Sequence, residues 1–234
     1  MVRRSYGLAE DWGRVVSSLE KLAPFYNRFN ETISFRTDRT LRRKCVENKS
    51  VQGVVLDAGS GNGIFSKILL ENGRDDVEVV LLDVLPTMHK ESLKTLPAGK
   101  INAVLAAFEN MPFREDSFDT VLMGFSLRDA RNTESALKEV SRVAKTQGKL
   151  LVLDLGKPDD KIKSAFVGLY WRIIAPLIAF IRFGKKGLIA SAIHVTYKRL
   201  PPNSILRNLT EKYFRTVSLT EKIWGGVIII EAFR

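Results

Sequence analysis

Between residues 54 and 154 the chain alternates two patterns. Val54–Asp57, Val77–Asp83, Ile101–Ala106, Phe118–Met123 and Lys149–Asp154 are short, nearly continuous apolar runs, as expected of strands buried on both faces. Ile64–Leu70, Thr87–Leu96 and Thr133–Lys145 carry apolar residues at helical spacing. In the last, Thr133 can cap and Ala136, Val140 and Val143 face inward. Such alternation predicts an α/β fold on a doubly wound, mostly parallel sheet. The end of the chain differs. Phe214–Lys222 and Gly226–Phe233, joined by Ile223-Trp224-Gly225, predict an antiparallel C-terminal hairpin at the sheet edge, with Val227 to Ile230 buried on both faces.

Two further regions flank or interrupt this pattern. Trp12 to Glu47 reads as two helices, an N-terminal helical cap. Val15, Val16, Leu19, Leu22 and Phe25 recur at helical spacing, and Pro24 breaks or kinks the run. Lys157 to Pro202 reads as a helical insertion holding the very apolar Phe166–Phe183. A membrane span is not expected there: Arg172 at mid-segment costs roughly 2.5–3.5 kcal/mol, and Pro176 interrupts the helix. The segment is either a buried core helix or a lid resting on a membrane, with Arg182, Lys185 and Lys186 at the headgroups. The expected organisation is a single domain over 1–234: cap 1–50, cofactor-binding core 51–156, lid 157–202, and C-terminal helix and hairpin 203–234.

The most informative stretch is Val54-Val55-Leu56-Asp57-Ala58-Gly59-Ser60-Gly61-Asn62-Gly63. A buried strand ends in an acid, glycines alternate, and a helix starts at about Ile64. A dinucleotide fingerprint would want its third glycine at Ile64, and Gly63 comes one residue early. The carboxylate of Asp57 would repel a pyrophosphate but suits a ligand with two cations and no phosphate. S-adenosylmethionine, with its ammonium and sulfonium, is such a ligand. Asp83 ends the next strand about 20 residues past the glycines, where a ribose-binding carboxylate is expected. The plainer readings are a glycine turn that binds nothing and an aspartate that caps a helix beginning near Pro86.

Composition narrows the chemistry. Hydrophobic content of 45% supports a sizeable core and excludes general disorder. Cys45 alone excludes an internal disulfide, and with only His89 and His194 no zinc site is expected. The net charge of +11, with Arg39, Arg42, Arg43 and Lys44 in one helical stretch, implies attraction to nucleic acid, an anionic membrane or an acidic substrate, or serves solubility alone. The basic N-terminus is followed by no apolar signal core, so secretion is not expected.

Several motifs carry a family resemblance. Pro24-Phe25-Tyr26-Asn27-Arg28-Phe29-Asn30 with Ile33-Ser34-Phe35, Val55–Gly63, Glu109–Phe113 with Ser117-Phe118-Asp119, Phe125-Ser126-Leu127-Arg128-Asp129, Glu139–Pro158 and Gly225-Gly226-Val227 line up along most of the chain. By them the chain resembles the ubiquinone/menaquinone biosynthesis C-methyltransferases, within the class I S-adenosylmethionine-dependent methyltransferases. The resemblance implies a Rossmann-like fold and C-methylation of a polyprenyl quinol or related aromatic ring. It implies cofactor contacts at Asp57, Gly59, Gly61, Asn62, Asp83, Ala107, Phe108 and Gly124. It implies catalytic roles for Arg128 (phenolate charge), Asp129 (orienting Arg128 or taking a proton) and Tyr26 (ring contact). The chain departs from the family at Ala107, where relatives carry Asp or Asn, so a side-chain bond to adenine is lost. Ser126 replaces a glycine, Asp129 an asparagine, and Thr146-Gln147-Gly148 a Pro-Gly-Gly. The implied partners are a lipid-tailed quinol and an anionic membrane surface, with a homodimer left open and nucleic acid not expected. The implied location is the cytoplasm, peripheral to the inner membrane face. Two other readings remain: a methyltransferase of RNA, protein or another small molecule, or a non-catalytic S-adenosylmethionine-binding module. Pro201-Pro202 lacks the preceding Asn/Asp and following aromatic usual in amino-methylating enzymes.

Overall fold

The computed structural model describes residues 5–47, 51–72, 77–97 and 101–234. Seven strands form one sheet: β1 Val54–Ala58, β2 Glu78–Asp83, β3 Ile101–Leu105, β4 Phe118–Gly124, β5 Ala144–Leu155, β6 Thr216–Lys222 and β7 Val227–Phe233. Their order is β3-β2-β1-β4-β5-β7-β6. Neighbours from β3 to β5 run parallel, and β7 enters antiparallel between β5 and β6. The order reverses between β1 and β4, so a crevice opens beyond the carboxyl ends of those two strands.

The apolar runs are buried on both faces because adjacent residues point to opposite sides of a strand. Leu56, Met123, Val152 and Ile230 join one core with Leu137 and Val140 of α6 (Thr133–Val143) and Leu206 and Leu209 of α10 (Asn203–Glu211). Their neighbours Val55, Leu122, Leu151 and Leu153 join the other, with Phe65 and Leu69 of α4 (Ile64–Glu71) and Cys45 and Val46 of α3 (Thr37–Glu47). A short α5, Pro86–Ser92, follows β2 with Pro86 at its start.

Among its described residues the cap has three α-helices, where the spacing predicts two: α1 Trp12–Leu22, α2 Tyr26–Ile33 and α3. Pro24 lies in a 3-10 turn, Ala23–Phe25, as its fixed φ and missing N–H favour. The second break comes at Phe35 and Arg36, with φ of 50° and 62°. No glycine or proline marks it, so the pattern runs through. Residue 132 corrects another detail: Asn132, not Thr133, caps α6, its side chain accepting the Ser135 N–H at 2.8 Å.

Beyond β5, Lys161–Arg199 is long and apolar enough to cross a membrane by length and composition alone, yet it folds back on itself. Helix α7 (Lys161–Leu169) passes through a π-turn, Tyr170–Ile174, into α8 (Ala175–Phe183). Pro176 sits in the first turn of α8, just after that widened turn, and the run continues. It reverses at Gly184, and a 3-10 stretch, Gly184–Ala190, returns along α8 before α9 (Ser191–Arg199). The return is tight: a Cβ on Gly187 would collide with the Ala179 backbone. Trp171, Ala175, Ala179, Ala190 and Tyr197 of these elements are buried in a core with Leu22, Phe29 and Ile33 of the cap, and Val167, Tyr170, Phe183, Ile189 and Ile193 pack against it partly buried. Phe166, Ile173, Leu177 and Ile181 stay exposed.

Candidate active site

The strand ends deliver a cluster of acids. Asp57 is the last residue but one of β1, Asp83 closes β2, Asp154 lies near the end of β5, and Asp129 follows β4 in the 3-10 turn Leu127–Asp129. The glycine loop is folded tightly over them. Gly59, Gly61 and Gly63 have φ of 73°, 54° and 76°, values that a β-carbon disfavours. Gly59 is needed twice over, because a Cβ there would strike Ser126 and the Phe108 ring. Ser126, in turn, donates to the Ala58 carbonyl at 2.7 Å, holding the loop after β4 against the tip of β1.

Asp57 is 1% exposed and lies beneath the loop. It accepts the Ser66 hydroxyl at 2.6 Å and the Ser66 N–H at 3.3 Å, and so anchors the start of α4. Asp83 accepts the Gly61 N–H at 2.8 Å on one oxygen and the Leu85 N–H at 2.9 Å on the other. A carboxylate can accept about four hydrogen bonds, so Asp83, which also meets the Val84 N–H, keeps capacity for a ligand hydroxyl.

Electrostatics set the preference of the crevice. Burial pushes Asp57 up to about 6, partly offset by Ser66 and Arg42. Burial pushes Asp129 up to about 7, against the pull of Arg128 and with a further push from Asp154 and Asp83. Asp83 and Asp154 are raised by burial as well. Two guanidiniums act on three of these carboxyls, Arg42 on Asp57 and Asp154, and Arg128 on Asp129 and Asp154. A cation entering the crevice would therefore gain both from the acids present and from drawing off their protons. Burial opposes the charge of Arg128, but Asp129 and Asp154 outweigh it and hold the guanidinium above its ordinary value. The geometry is loose: Nε is 3.7 Å from Asp129 and Nη1 is 3.9 Å from Asp154, while the Arg128 backbone N–H donates to Asp154 at 3.0 Å. Arg128 Nε has no hydrogen-bond partner.

Two cavities meet here. The smaller is lined by Trp12, Tyr26, Gly59, Gly61, Asp83 and Val84, and by Ala107, Phe108, Phe125 and Asp129. Acids at one end and aromatic or aliphatic side chains at the other fit an adenosyl ligand carrying positive charge. The buried Ser60 hydroxyl beside it lacks a partner, and the space above Gly61 is open. The larger cavity, about 450 Å³, is almost wholly apolar; Ile33, Leu155, Phe166, Tyr170 and Trp171 wall it, and Arg42 and Arg128 are its cations. Phe125 lines both. Its φ of 58° is a genuine strain for a bulky residue. It holds the ring at the boundary, 5.7 Å from the Arg128 guanidinium carbon.

Of the residues singled out in the sequence, Gly59, Gly61, Asp83, Ala107, Phe108, Asp129 and Tyr26 come together around the smaller cavity, and Arg128 lines the larger. Tyr26 thus stands on the cofactor side of Phe125, not among the residues walling the larger cavity. Three others lie outside both linings. Asp57 is under the loop, Asn62 donates to Asn27 at 2.8 Å, and Gly124 packs against Arg42 and Phe65. Trp12, Phe125 and Arg42 line these cavities without having been expected as site residues, although Phe125 opens the Phe-Ser-Leu-Arg-Asp motif and Arg42 belongs to the basic stretch. For Arg42 a signal exists: it falls three and four residues before Cys45 and Val46, on the face of α3 that meets the sheet. Among the described residues no group of three or more acids, histidines or cysteines could hold a metal ion.

Comparison with known proteins agrees with this geometry. Residues 9–212 match the profile of the ubiE/COQ5 methyltransferase family. The ubiquinone/menaquinone biosynthesis C-methyltransferase UbiE of Geobacter sulfurreducens is 27% identical over 220 residues, covering 91% of this chain and 81% of that protein. The demethylmenaquinone methyltransferase of Leptospira interrogans is 30% identical over 230 residues, covering 93% and 91%. Among solved structures, a SAM-dependent methyltransferase from Thermotoga maritima superposes with a TM-score of 0.62 at 18% identity, covering 92% of this chain and 99% of that one. One from Methanococcus maripaludis gives 0.61 at 16%, covering 91% and 92%. The matched span, the sheet order and the acid-lined crevice lead to one assignment: the chain belongs to the ubiE/COQ5 methyltransferase family and is an S-adenosylmethionine-dependent methyltransferase with the class I, Rossmann-like fold.

Proposed function

We propose that this enzyme methylates a ring carbon of a lipid-tailed quinol in respiratory quinone biosynthesis. The observation that carries the reading is the 450 Å³ apolar cavity, whose polar lining includes Arg128 and which shares Phe125 with the cofactor cleft. Such a cavity suits a flat ring with an isoprenoid tail, and the names of the relatives point the same way. When bound, S-adenosylmethionine supplies a methyl group already activated on a sulfonium.

The protein's part is to orient the ring and manage charge. In this reading Gly59, Gly61, Asp83, Ala107, Phe108 and Trp12 hold the cofactor, and Phe125 separates its cleft from the ring. Asp129 lines the cofactor cleft, 3.7 Å from Arg128 Nε, and is raised to about 7; in this reading it takes the proton of the ring hydroxyl across the Phe125 boundary. Arg128 cannot act as a base, since a guanidinium stays protonated; it stabilises the phenolate. The adjacent ring carbon then takes the methyl, a C–C bond replacing the C–S bond so that S-adenosylhomocysteine leaves. The hydrogen of that carbon departs as a proton to solvent, which restores the aromatic phenolate, and Asp129 returns its proton to the oxygen. Tyr26 closes the cleft from the cap.

We further propose that residues 157–202 form a lid whose exposed side rests on an anionic membrane. Phe35 and Trp224, 70% and 74% exposed, line the large cavity together with the exposed Phe166 and Ile223. An apolar rim of this kind gives a lipid-tailed ring a route that avoids water. The test is mass spectrometry of the quinones in cells lacking the protein. The expected species is a quinone with hydrogen in place of one ring methyl; an unchanged quinone profile would overturn the reading.

A further inference from the structure

Arg42 is a cation to which the mechanism above gives no task. It lies on the inward face of α3 and is 3% exposed. Its Nη2 donates to the Gly124 carbonyl at 3.2 Å, and its guanidinium carbon stands 5.5 Å from the Phe65 ring centroid and 5.0 Å from that of Phe125. Its Nε has no hydrogen-bond partner. Among the described residues no carboxylate oxygen lies within 4.0 Å of it. Asp38, one turn earlier and also on the cavity wall, accepts instead from the Ser34 hydroxyl at 2.7 Å. A guanidinium withdrawn from water without a close anion is costly, and a ligand oxygen entering the cavity would offset that cost. Arg128 reaches the same cavity, with the same kind of unpartnered Nε and against the same Phe125 ring.

We infer that Arg42 is a specificity residue that binds a second ring oxygen of the substrate, while Arg128 serves the oxygen beside the methylated carbon. The enzyme therefore selects aromatic rings bearing two oxygens over rings bearing one. This rests on the quinol reading. The opposing view is that Arg42 only ties α3 to the end of β4 through Gly124.

Two reduced ligands separate these views: 1,4-naphthalenediol and 1-naphthol, each with one prenyl unit beside the reactive carbon, handled without oxygen. Dissociation constants come from quenching of Trp171 and Trp224, which line the cavity, in the presence of S-adenosylhomocysteine. Rates come from methyl transfer. The wild type is expected to bind the diol about 10- to 100-fold more tightly, the range of a charge-assisted hydrogen bond. Arg42→Gln and Arg42→Met lose that preference, and Arg42→Lys keeps part of it. Retained S-adenosylhomocysteine binding shows that the variants are folded. Equal weakening of both ligands, with the ratio unchanged, would overturn the inference and leave Arg42 as a tie. A wild type that binds and methylates both rings without preference sinks Arg42 alone. A wild type that binds neither ring removes the quinol reading and this inference with it.

Discussion

Asp83 and Arg128 carry the most testable roles among single side chains. Asp83 holds the glycine loop through Gly61 and offers its remaining lone pairs to the cofactor cleft. Asp83→Ala should weaken S-adenosylmethionine binding by about 1.5–3 kcal/mol, the usual value for a hydrogen bond to a charged group. Titration calorimetry reads this directly, and unchanged affinity removes the ribose role. Arg128→Ala should lower the single-turnover methyl-transfer rate on the order of 10²–10³-fold at saturating cofactor. Arg128→Lys should recover part of it, since lysine keeps the charge and loses the planar fork. A near-wild-type rate would return Arg128 to a structural ion pair. Gly59 and Asp83 were legible in the sequence because a backbone conformation and a strand end demand those residue types. Arg42 was legible only in part: its spacing to Cys45 and Val46 puts it on the inward side of α3, but a run of basic residues reads as a solvated helix face, and the packing against Phe65 and Phe125 that buries it comes from the fold. Asp57 was legible as an acid at the strand tip, but its bond to Ser66 depends on how α4 starts.

The ends of β1, β2 and β5, with the turn after β4, gather four carboxyls whose protons come on more tightly than in the unfolded chain. A carboxyl raised in the folded state contributes stability below its unfolded value, and loses it as pH climbs through the folded value. For Asp129 that loss spans the interval from its ordinary 3.8 to about 7. Urea unfolding at pH 5 and pH 8 should show Asp129→Asn losing less stability than the wild type over that interval, by on the order of 2 kcal/mol. An identical pH slope would mean that Asp129 is not raised. The same cluster should favour a cationic ligand. Affinity for S-adenosylmethionine should rise from pH 5.5 to 7.5 with proton release, while S-adenosylhomocysteine, which lacks the sulfonium, responds less. Calorimetry in buffers of different ionisation enthalpy measures both, and equal responses would contradict it. The strands and α4 and α6 were readable within a few residues, because burial on two faces or on one imposes distinct periods. Strand β5 is the exception, since it starts at Ala144 and not at Lys149, ahead of the polar Lys145, Thr146 and Gln147 that carry no buried-strand pattern. The break between α2 and α3 was not, since Phe35 and Arg36 adopt positive φ without a glycine to announce it.

Taken entire, the protein joins a strongly basic chain, +11, to an acidic crevice and an apolar rim. Liposomes containing anionic lipid should carry it upward in flotation, and salt should weaken that binding. Retention of Phe35→Ser/Trp224→Ser on the liposomes at wild-type level would show that the rim does not touch lipid. The sheet and its edge hairpin follow from alternation in the sequence. The fold-back of 157–202 does not, because it turns on Gly184 and on the close approach of Gly187 to α8. The most direct trial of the proposed chemistry uses purified protein, saturating S-adenosylmethionine with a labelled methyl, and demethylmenaquinone in anionic vesicles, either reduced or oxidised. Carbon attack needs a phenolate, so label should appear on the ring carbon of the quinol and not of the quinone. Absence of label from the quinol, or equal labelling of both forms, would contradict the mechanism.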